Sequence, residues 1–262
     1  MNFCTLASGS NGNSSILINE DRHILIDAGY SNRALCNFMS GIGVSHNDVG
    51  AVLITHEHSD HIKGLPVFLN KHPDCKCFAS VKTAGAIIQY NPELSGRIES
   101  FNIGDELNLF DARIKTMATP HDTPESTAYF IEKKEKKILY ATDLGYVPEK
   151  IEELVDELDL FMIEANYDKD KLEYGPYPAF LKARIKGERG HLSNDDSAKI
   201  VLDAVERGTK RVLLSHLSQE NNTPKIAYNT VHQALTAGGF IPGVDVDLKV
   251  SPRGMCGEVI KL

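Results

Sequence analysis

The chain has 262 residues, 42% of them hydrophobic and 24% charged, enough apolar material for a layered globular core. No window approaches the run of about 18 apolar residues that a membrane-spanning helix needs. A net charge of −8 excludes nucleic-acid binding through the whole surface, though not through a local basic patch. Five cysteines (Cys4, Cys36, Cys75, Cys77 and Cys256) show no framework spacing, and the opening MNFCTLASGSNGNSS has no basic segment followed by a long apolar one. The expectation is a reduced, cytoplasmic protein without a secretory signal.

In chain order, residues 2–7, 15–19 and 23–27 read as strands, with the glycine-rich SGSNGNS turn between the first two. Residues 31–41 read as a helix. AVLIT (51–55) is a buried strand that leads directly into HEHSDH, and 62–71 follows as a helix. Strands fit 76–79, 98–101, 107–110, 113–119, 126–132 and 136–142, and LDLFMIE (158–164) is a further buried strand. The Pro/Gly-rich YGPYPAF (174–180) reads as a loop at an active-site edge. Residues 194–206 make an amphipathic helix with Asn194 as its cap, followed by a strand at 211–215, a helix at 224–237 and a strand at 246–250. No repeat, low-complexity run or Gly/Ser linker divides the chain. The expectation is one α/β domain over 1–262, with two sheets face to face and helices outside.

The strongest chemical signal is Thr55-His-Glu-His-Ser-Asp-His61. Residues two apart in an extended segment point the same way, so His56 and His58 can aim at one ion. Asp60 and His61 follow where the chain turns into a helix and can face a second. Imidazole and carboxylate donors suit zinc, manganese or iron. One loop cannot supply every ligand, and three donors stand at the ends of predicted strands: His121 after RIKTMATP, Asp143 after KILYAT and His216 after RVLLS. A single strand-end His or Asp is often merely polar. The inference rests on all three together with HEHSDH.

This series resembles the metal ligands of the metallo-β-lactamase superfamily, from DAG (27–29) to SHLS (215–218). The resemblance implies an αββα sandwich of two mixed sheets with helices on both outer faces. It implies that His56, His58 and His121 hold one divalent ion, that Asp60, His61 and His216 hold the other, and that Asp143 bridges. Asp27 in LIDAG resembles the residue that supports the ligand histidines from behind; a plain turn aspartate is the alternative.

Substrate is not fixed by fold. Asp143 stands where zinc β-lactamases carry Cys, which argues against a β-lactamase. His191 in GHLSN and Glu164 in MIEAN resemble the His and Glu of tRNase Z-type phosphodiesterases. Two cations sharing a bridging hydroxide would generate a nucleophile at neutral pH. His191 would protonate the leaving alkoxide, with Glu164 holding its tautomer, and Asp60, His191 and Glu164 make the expected catalytic set. Lys182, Arg184, Lys186 and Arg189 could track phosphates or could equally be a solvated helix face. LASGSNGNS and PYPAFLKARIKGERGHLSN are similar to the YycJ (WalJ) family, which implies 5′ to 3′ DNA exonuclease activity. A hydrolase of a small cyclic phosphodiester, ester or thioester is the alternative, and intact ligands count against a non-enzymatic protein. DNA or another phosphodiester is the expected partner, with no membrane contact, and oligomeric state is not legible. Ser8, Ser10 and Asn13 could border the substrate, since their turn lies near strand ends, but read first as a plain tight turn; Cys75 and Cys77 read as a poor metal pair, and His23, His46, His72 and His232 as surface or turn residues. Tyr167, Tyr174 and Tyr177 are open between stacking on bases and packing inward.

Overall fold

The computed structural model describes residues 1–262. The chain forms β1 (Asn2–Ala7), β2 (Ser14–Ile18), β3 (His23–Ile26), α1 (Asn32–Gly41), β4 (Val49–Leu53), α2 (Ser59–Ile62), α3 (Leu65–Lys71), β5 (Lys76–Ser80), α4 (Val81–Tyr90) and β6 (Ile98–Phe101). It continues with β7 (Glu106–Leu109), β8 (Ala112–Thr119), β9 (Ser126–Lys133), β10 (Lys136–Ala141), α5 (Glu149–Glu152), β11 (Leu160–Glu164), α6 (Lys169–Tyr174), α7 (Ala179–Lys186), α8 (Asn194–Glu206), β12 (Arg211–Ser215), α9 (Pro224–Ala237), β13 (Asp247–Val250) and β14 (Ile260–Lys261). Two mixed seven-stranded sheets result, in the orders β14-β1-β2-β3-β4-β5-β6 and β13-β12-β11-β10-β9-β8-β7. No helix is long and apolar enough to cross a membrane.

The residues group into two compact units. The first comprises 1–116, 123–127 and 252–262, and the second 117–122 and 128–251. Each has its own core. In the first, β3 to β6 run parallel, and Leu25, Val52, Ile54 and Cys77 pack with Leu35, Met39 and Phe68 of the helices. In the second, β10 to β13 run parallel, and Leu139, Phe161, Ile163 and Leu214 pack with Val201, Ala204, Val231 and Leu235 of α8 and α9. Parallel strands covered by helices must be apolar on both faces, which is why the LFMIE strand shows no alternation and is buried throughout.

Several expected boundaries move. The helix expected at 62–71 is two helices, α2 and α3, because the Gly64 amide donates to Ala28 O instead of continuing the first helix. A Cβ at Gly64 would lie 1.9 Å from Tyr30 O, so only glycine permits this approach. The α8 cap is Ser193, whose hydroxyl accepts from the Asp196 amide, and Asn194 is the first helical residue. Helices α4, α6 and α7 replace expected irregular chain, and YGPYPAF is a loop only at 175–178. His23 is a buried strand residue rather than a surface or turn one, and His72 is buried but does open a turn, its carbonyl accepting from the Cys75 amide at 3.0 Å.

Candidate metal centre

Three of the expected site residues leave strand ends through an uncommon backbone state. Asp27 follows β3, Asp143 follows β10 and His216 follows β12, with φ of 59°, 58° and 53°. The left-handed region is sparsely used by non-glycine residues and turns a strand sharply at its end. Three of seven such residues in the chain are expected site residues.

In the first unit, Asp27 is fully buried and organises the HEHSDH segment. Its Oδ1 accepts from the Thr55 amide at 2.8 Å. Its Oδ2 accepts from Thr55 Oγ1 at 2.9 Å and from His61 Nδ1 at 2.8 Å. The single hydroxyl proton of Thr55 is thereby committed to Asp27, so Thr55 Oγ1 accepts from His56 Nδ1 at 3.0 Å. Both rings are fixed with Nδ1 protonated and the Nε2 lone pair offered to an electrophile. His56 Nε2 lies 3.1 Å from His58 Nδ1, and His61 Nε2 lies 3.6 Å from Asp60 Oδ2. Zinc–nitrogen bonds of roughly 2.1 Å at a tetrahedral angle place two ligand atoms about 3.4 Å apart, so these spacings fit a cation. Burial pushes the Asp27 carboxyl up, more than His61 and Thr55 pull it down.

In the second unit, Glu164 plays the matching part. Its Oε1 accepts from His191 Nδ1 and from His216 Nδ1, each at 2.7 Å, and its Oε2 accepts from the amides of Leu144 and Leu192 at 3.2 Å. Burial alone would raise this carboxyl, but the two imidazoles hold it well below the ordinary range. The donor atoms of Asp143, Glu164, His191 and His216 all lie within 4.8 Å of one another. His121 donates from Nδ1 to Gly190 O at 3.1 Å and turns Nε2 toward Asp143 Oδ1 at 3.7 Å. Burial lowers the His121 pKa, against the pull of Asp143, so a lone pair faces a carboxylate oxygen. Two acceptors held in that way suit an intervening positive charge. Burial also disfavours charge on His191, but Glu164 outweighs it and the net shift is upward. The side chain of His191 is 21% exposed and so remains reachable.

The expected donors thus fall into two sets. His56, His58, Asp60 and His61 stand in the first unit, and His121, Asp143 and His216 stand in the second, beside His191 and Glu164. These His and Asp groups are able to bind metal. Thr55 and Asn166 carry no site signal of their own in the sequence, whereas Asn13 lies in the turn that could border the substrate. Asn13 Nδ2 reaches Asp60 Oδ2 at 3.3 Å and His61 Nε2 at 3.0 Å, and Asn166 donates to His216 O at 2.8 Å. Position directly before HEHSDH or two residues after Glu164 was the available signal for Thr55 and Asn166.

The four cations of 182–189 turn to intrachain partners. Lys182 Nζ donates to Glu173 O at 2.6 Å, Lys186 pairs with Glu173, Arg184 pairs with Asp122, and Arg189 donates to His121 O at 2.8 Å. Cys75 and Cys77 are free thiols, and burial pushes that of Cys75 up to about 12.

Over residues 22–217 the chain matches the Beta-lactamase superfamily domain. It is 36% identical over 253 residues to exodeoxyribonuclease WalJ of Streptococcus pneumoniae, covering 95% of this chain and 92% of that protein. It is 34% identical over 245 residues to exodeoxyribonuclease YycJ of Bacillus anthracis, covering 92% and 91%. The solved structure of the metallo-beta-lactamase fold protein YhfI from Bacillus subtilis matches with a TM-score of 0.70 at 15% identity, over 98% of this chain and 99% of that one. The chain therefore belongs to the beta-lactamase superfamily and, within it, to the family of the YycJ and WalJ proteins. That makes it a member of a hydrolase superfamily with the fold its sequence leads one to expect.

Proposed function

We propose that the chain is a metal-dependent phosphodiesterase acting on DNA, an exonuclease working 5′ to 3′. The observation that carries the chemistry is the His191–Glu164 pair at 2.7 Å, beside Asp143 and His216. The relatives at 34% and 36% identity, both named exodeoxyribonucleases, support the substrate class. Superfamily membership supports reading His56, His58, Asp60, His61, His121, Asp143 and His216 as the ligands of two divalent ions, zinc or manganese, with iron also compatible with the donors. Such ions, when bound, supply a water of lowered pKa and offset charge on phosphate oxygens.

The chain's own residues do the rest. Asp27 and Glu164 fix the imidazole tautomers so that donor atoms need no reorientation when a cation arrives. Glu164 binds the Nδ1 proton of His191, which favours the imidazolium and leaves a proton on Nε2 for the departing alkoxide. Asp60, His191 and Glu164 form the catalytic group in this reading. A single family match spanning residues of both units supports one domain over 1–262, and five free thiols support a cytoplasmic setting.

A second reading, hydrolysis of a small cyclic phosphodiester, ester or thioester, is favoured by one observation: the cations of 182–189 are engaged within the chain. The deciding experiment uses metal-loaded protein with 5′-labelled DNA and with bis-p-nitrophenyl phosphate, beside His58→Ala and His191→Ala. Stepwise nucleotide release that needs metal and His58 is expected. His191→Ala should slow DNA cleavage about a hundredfold or more while sparing the activated aryl ester. Equal losses on both substrates would remove His191 from the proton-donor role. Hydrolysis of the aryl ester without any DNA cleavage would favour the small-substrate reading.

A further inference from the structure

The segment from Asp168 to Gly190 stands out in the second unit for what it leaves exposed. Helices α6 and α7 flank the turn Gly175-Pro-Tyr-Pro178, and α7 buries no side chain. Tyr174 is 86% exposed and Phe180 is 75% exposed, whereas Tyr167 is buried at 5%. Two prolines in the turn fix φ, and a Cβ at Gly175 would lie 2.4 Å from Lys171 O, so the turn has little freedom. Lys182 and Lys186 both hold Glu173, which ties α7 back onto α6.

The root of this segment is fastened to the donor set. Arg184 pairs with Asp122, Arg189 donates to His121 O, and Gly190 O accepts from His121 Nδ1. A Cβ at Gly145, two residues past Asp143, would lie 2.3 Å from Glu188 O. The segment is therefore a stiff arm that springs from the residues beside His121 and Asp143 and carries aromatic rings into solvent.

Its charge separates the candidate occupants. Residues 168–190 hold six Lys and Arg against four Asp and Glu, a positive island in a chain of net charge −8. Phe180 shares its helix face with Arg184, four residues on, and Leu181 and Ile185 are half-buried, so α7 offers no continuous exposed apolar face for a second protein surface. Aromatic faces among cations suit stacked bases on a phosphate backbone.

We propose that this arm grips single-stranded nucleic acid, with Tyr174 and Phe180 stacking on bases of the substrate. This rests on the reading of the chain as a DNA phosphodiesterase and specifies which part of the DNA is held. The bases are seized by their π faces, so the grip needs a frayed or single-stranded end and is indifferent to sequence. The ion pairs within the arm serve to hold its shape.

The test compares wild-type metal-loaded protein with the double variant Tyr174→Ala/Phe180→Ala. Binding is read by fluorescence anisotropy of a hydrolysis-resistant phosphorothioate oligonucleotide, and turnover by cleavage of a normal one and of bis-p-nitrophenyl phosphate. Stacking on one base is worth roughly five- to a hundredfold in affinity, so Kd and KM for the strand should rise at least about tenfold. Hydrolysis of the aryl ester should change far less. An oligonucleotide with abasic residues should bind wild type as weakly as the variant binds the normal strand, and Phe180→Trp should retain binding. Both rings are exposed, so the alanines empty no core and the melting temperature should hold. Unchanged Kd, an equal fall on all substrates, or a change in oligomeric mass on mutation would overturn the grip. Wild-type protein that binds the strand through these rings but never cleaves it would keep the grip and sink the nuclease reading.

Discussion

The two donor sets reach the same physical arrangement from opposite kinds of sequence. In the first unit, four donors lie between residues 56 and 61, and in the second they are scattered between 121 and 216. Yet each set is organised by one buried carboxylate that accepts from imidazole Nδ1 and from backbone amides. Asp27 holds His61 directly and His56 through Thr55, and Glu164 holds His191 and His216. The difference lies in how each carboxylate is compensated. Two imidazoles keep Glu164 charged in spite of burial, whereas for Asp27 burial prevails over its single imidazole. A local motif can be held by a support with one imidazole partner because the chain itself keeps its donors together. A dispersed set has no such help, and its central carboxylate must bind more partners.

That contrast makes Glu164→Ala the most damaging single change. It strands two imidazoles and the amides of Leu144 and Leu192 in a buried space. Removing the acceptor from such a network costs about 3–5 kcal/mol. The expected result is a matching loss of stability in chemical denaturation, with hydrolysis of bis-p-nitrophenyl phosphate reduced more than about a hundredfold. A loss of activity with unchanged stability would show that His191 and His216 find other acceptors, and the parallel between the two carboxylates would fail.

Asp27→Asn should be milder and different in kind. Asparagine tolerates the left-handed φ of 59°, so the backbone is not the casualty. The amide offers one acceptor oxygen where the carboxylate uses two. Stability of metal-free protein should fall by about 1–3 kcal/mol, since a buried donor is left facing the amide NH2. Metal affinity, followed by titration with zinc, should weaken about 10- to 100-fold because His61 and His56 lose their fixed tautomers. Unaltered affinity would reduce Asp27 to a turn residue.

The same contrast explains what could be read in advance. HEHSDH was legible because its donors are contiguous and follow an apolar strand. Asp143, His121 and His216 were legible only as residue types at strand ends, and Asp27 only by likeness to other proteins. The left-handed φ of Asp27, Asp143 and His216 is imposed by tertiary packing and leaves no mark on residue choice beyond that position. The double duty of Glu164 was hidden for the same reason: the sequence suggested His191, but the contact to His216 spans 52 positions. Helix α4 escaped notice because VKTAGAIIQY mixes β-branched residues with a glycine, and the hydroxyl of Ser80 that caps it looks like any strand-end serine. The break at Gly64 depends on a carbonyl of Tyr30 far away in sequence.

The smallest effect should come from a buried carboxylate that serves no imidazole. Asp159 accepts from Lys136 Nζ at 2.8 Å and from the Lys137 amide at 3.0 Å. Burial raises its pKa, but Lys136 and the amide outweigh burial, and the folded value lies below the ordinary one. A carboxylate depressed on folding contributes stability that is fully present above its unfolded pKa of about 3.9 and is lost as pH falls through the folded value. Asp159→Asn should therefore lower stability at pH 7 by about 1 kcal/mol and leave hydrolysis of bis-p-nitrophenyl phosphate intact. Denaturation of both proteins from pH 7 downward should show the gap closing below the ordinary carboxylate range, because the wild-type group then carries no charge either. A gap that persists in acid would trace to packing. Loss of activity at neutral pH would mean that any buried carboxylate in this unit supports the chemistry, and that Glu164 is not distinguished by its two imidazoles.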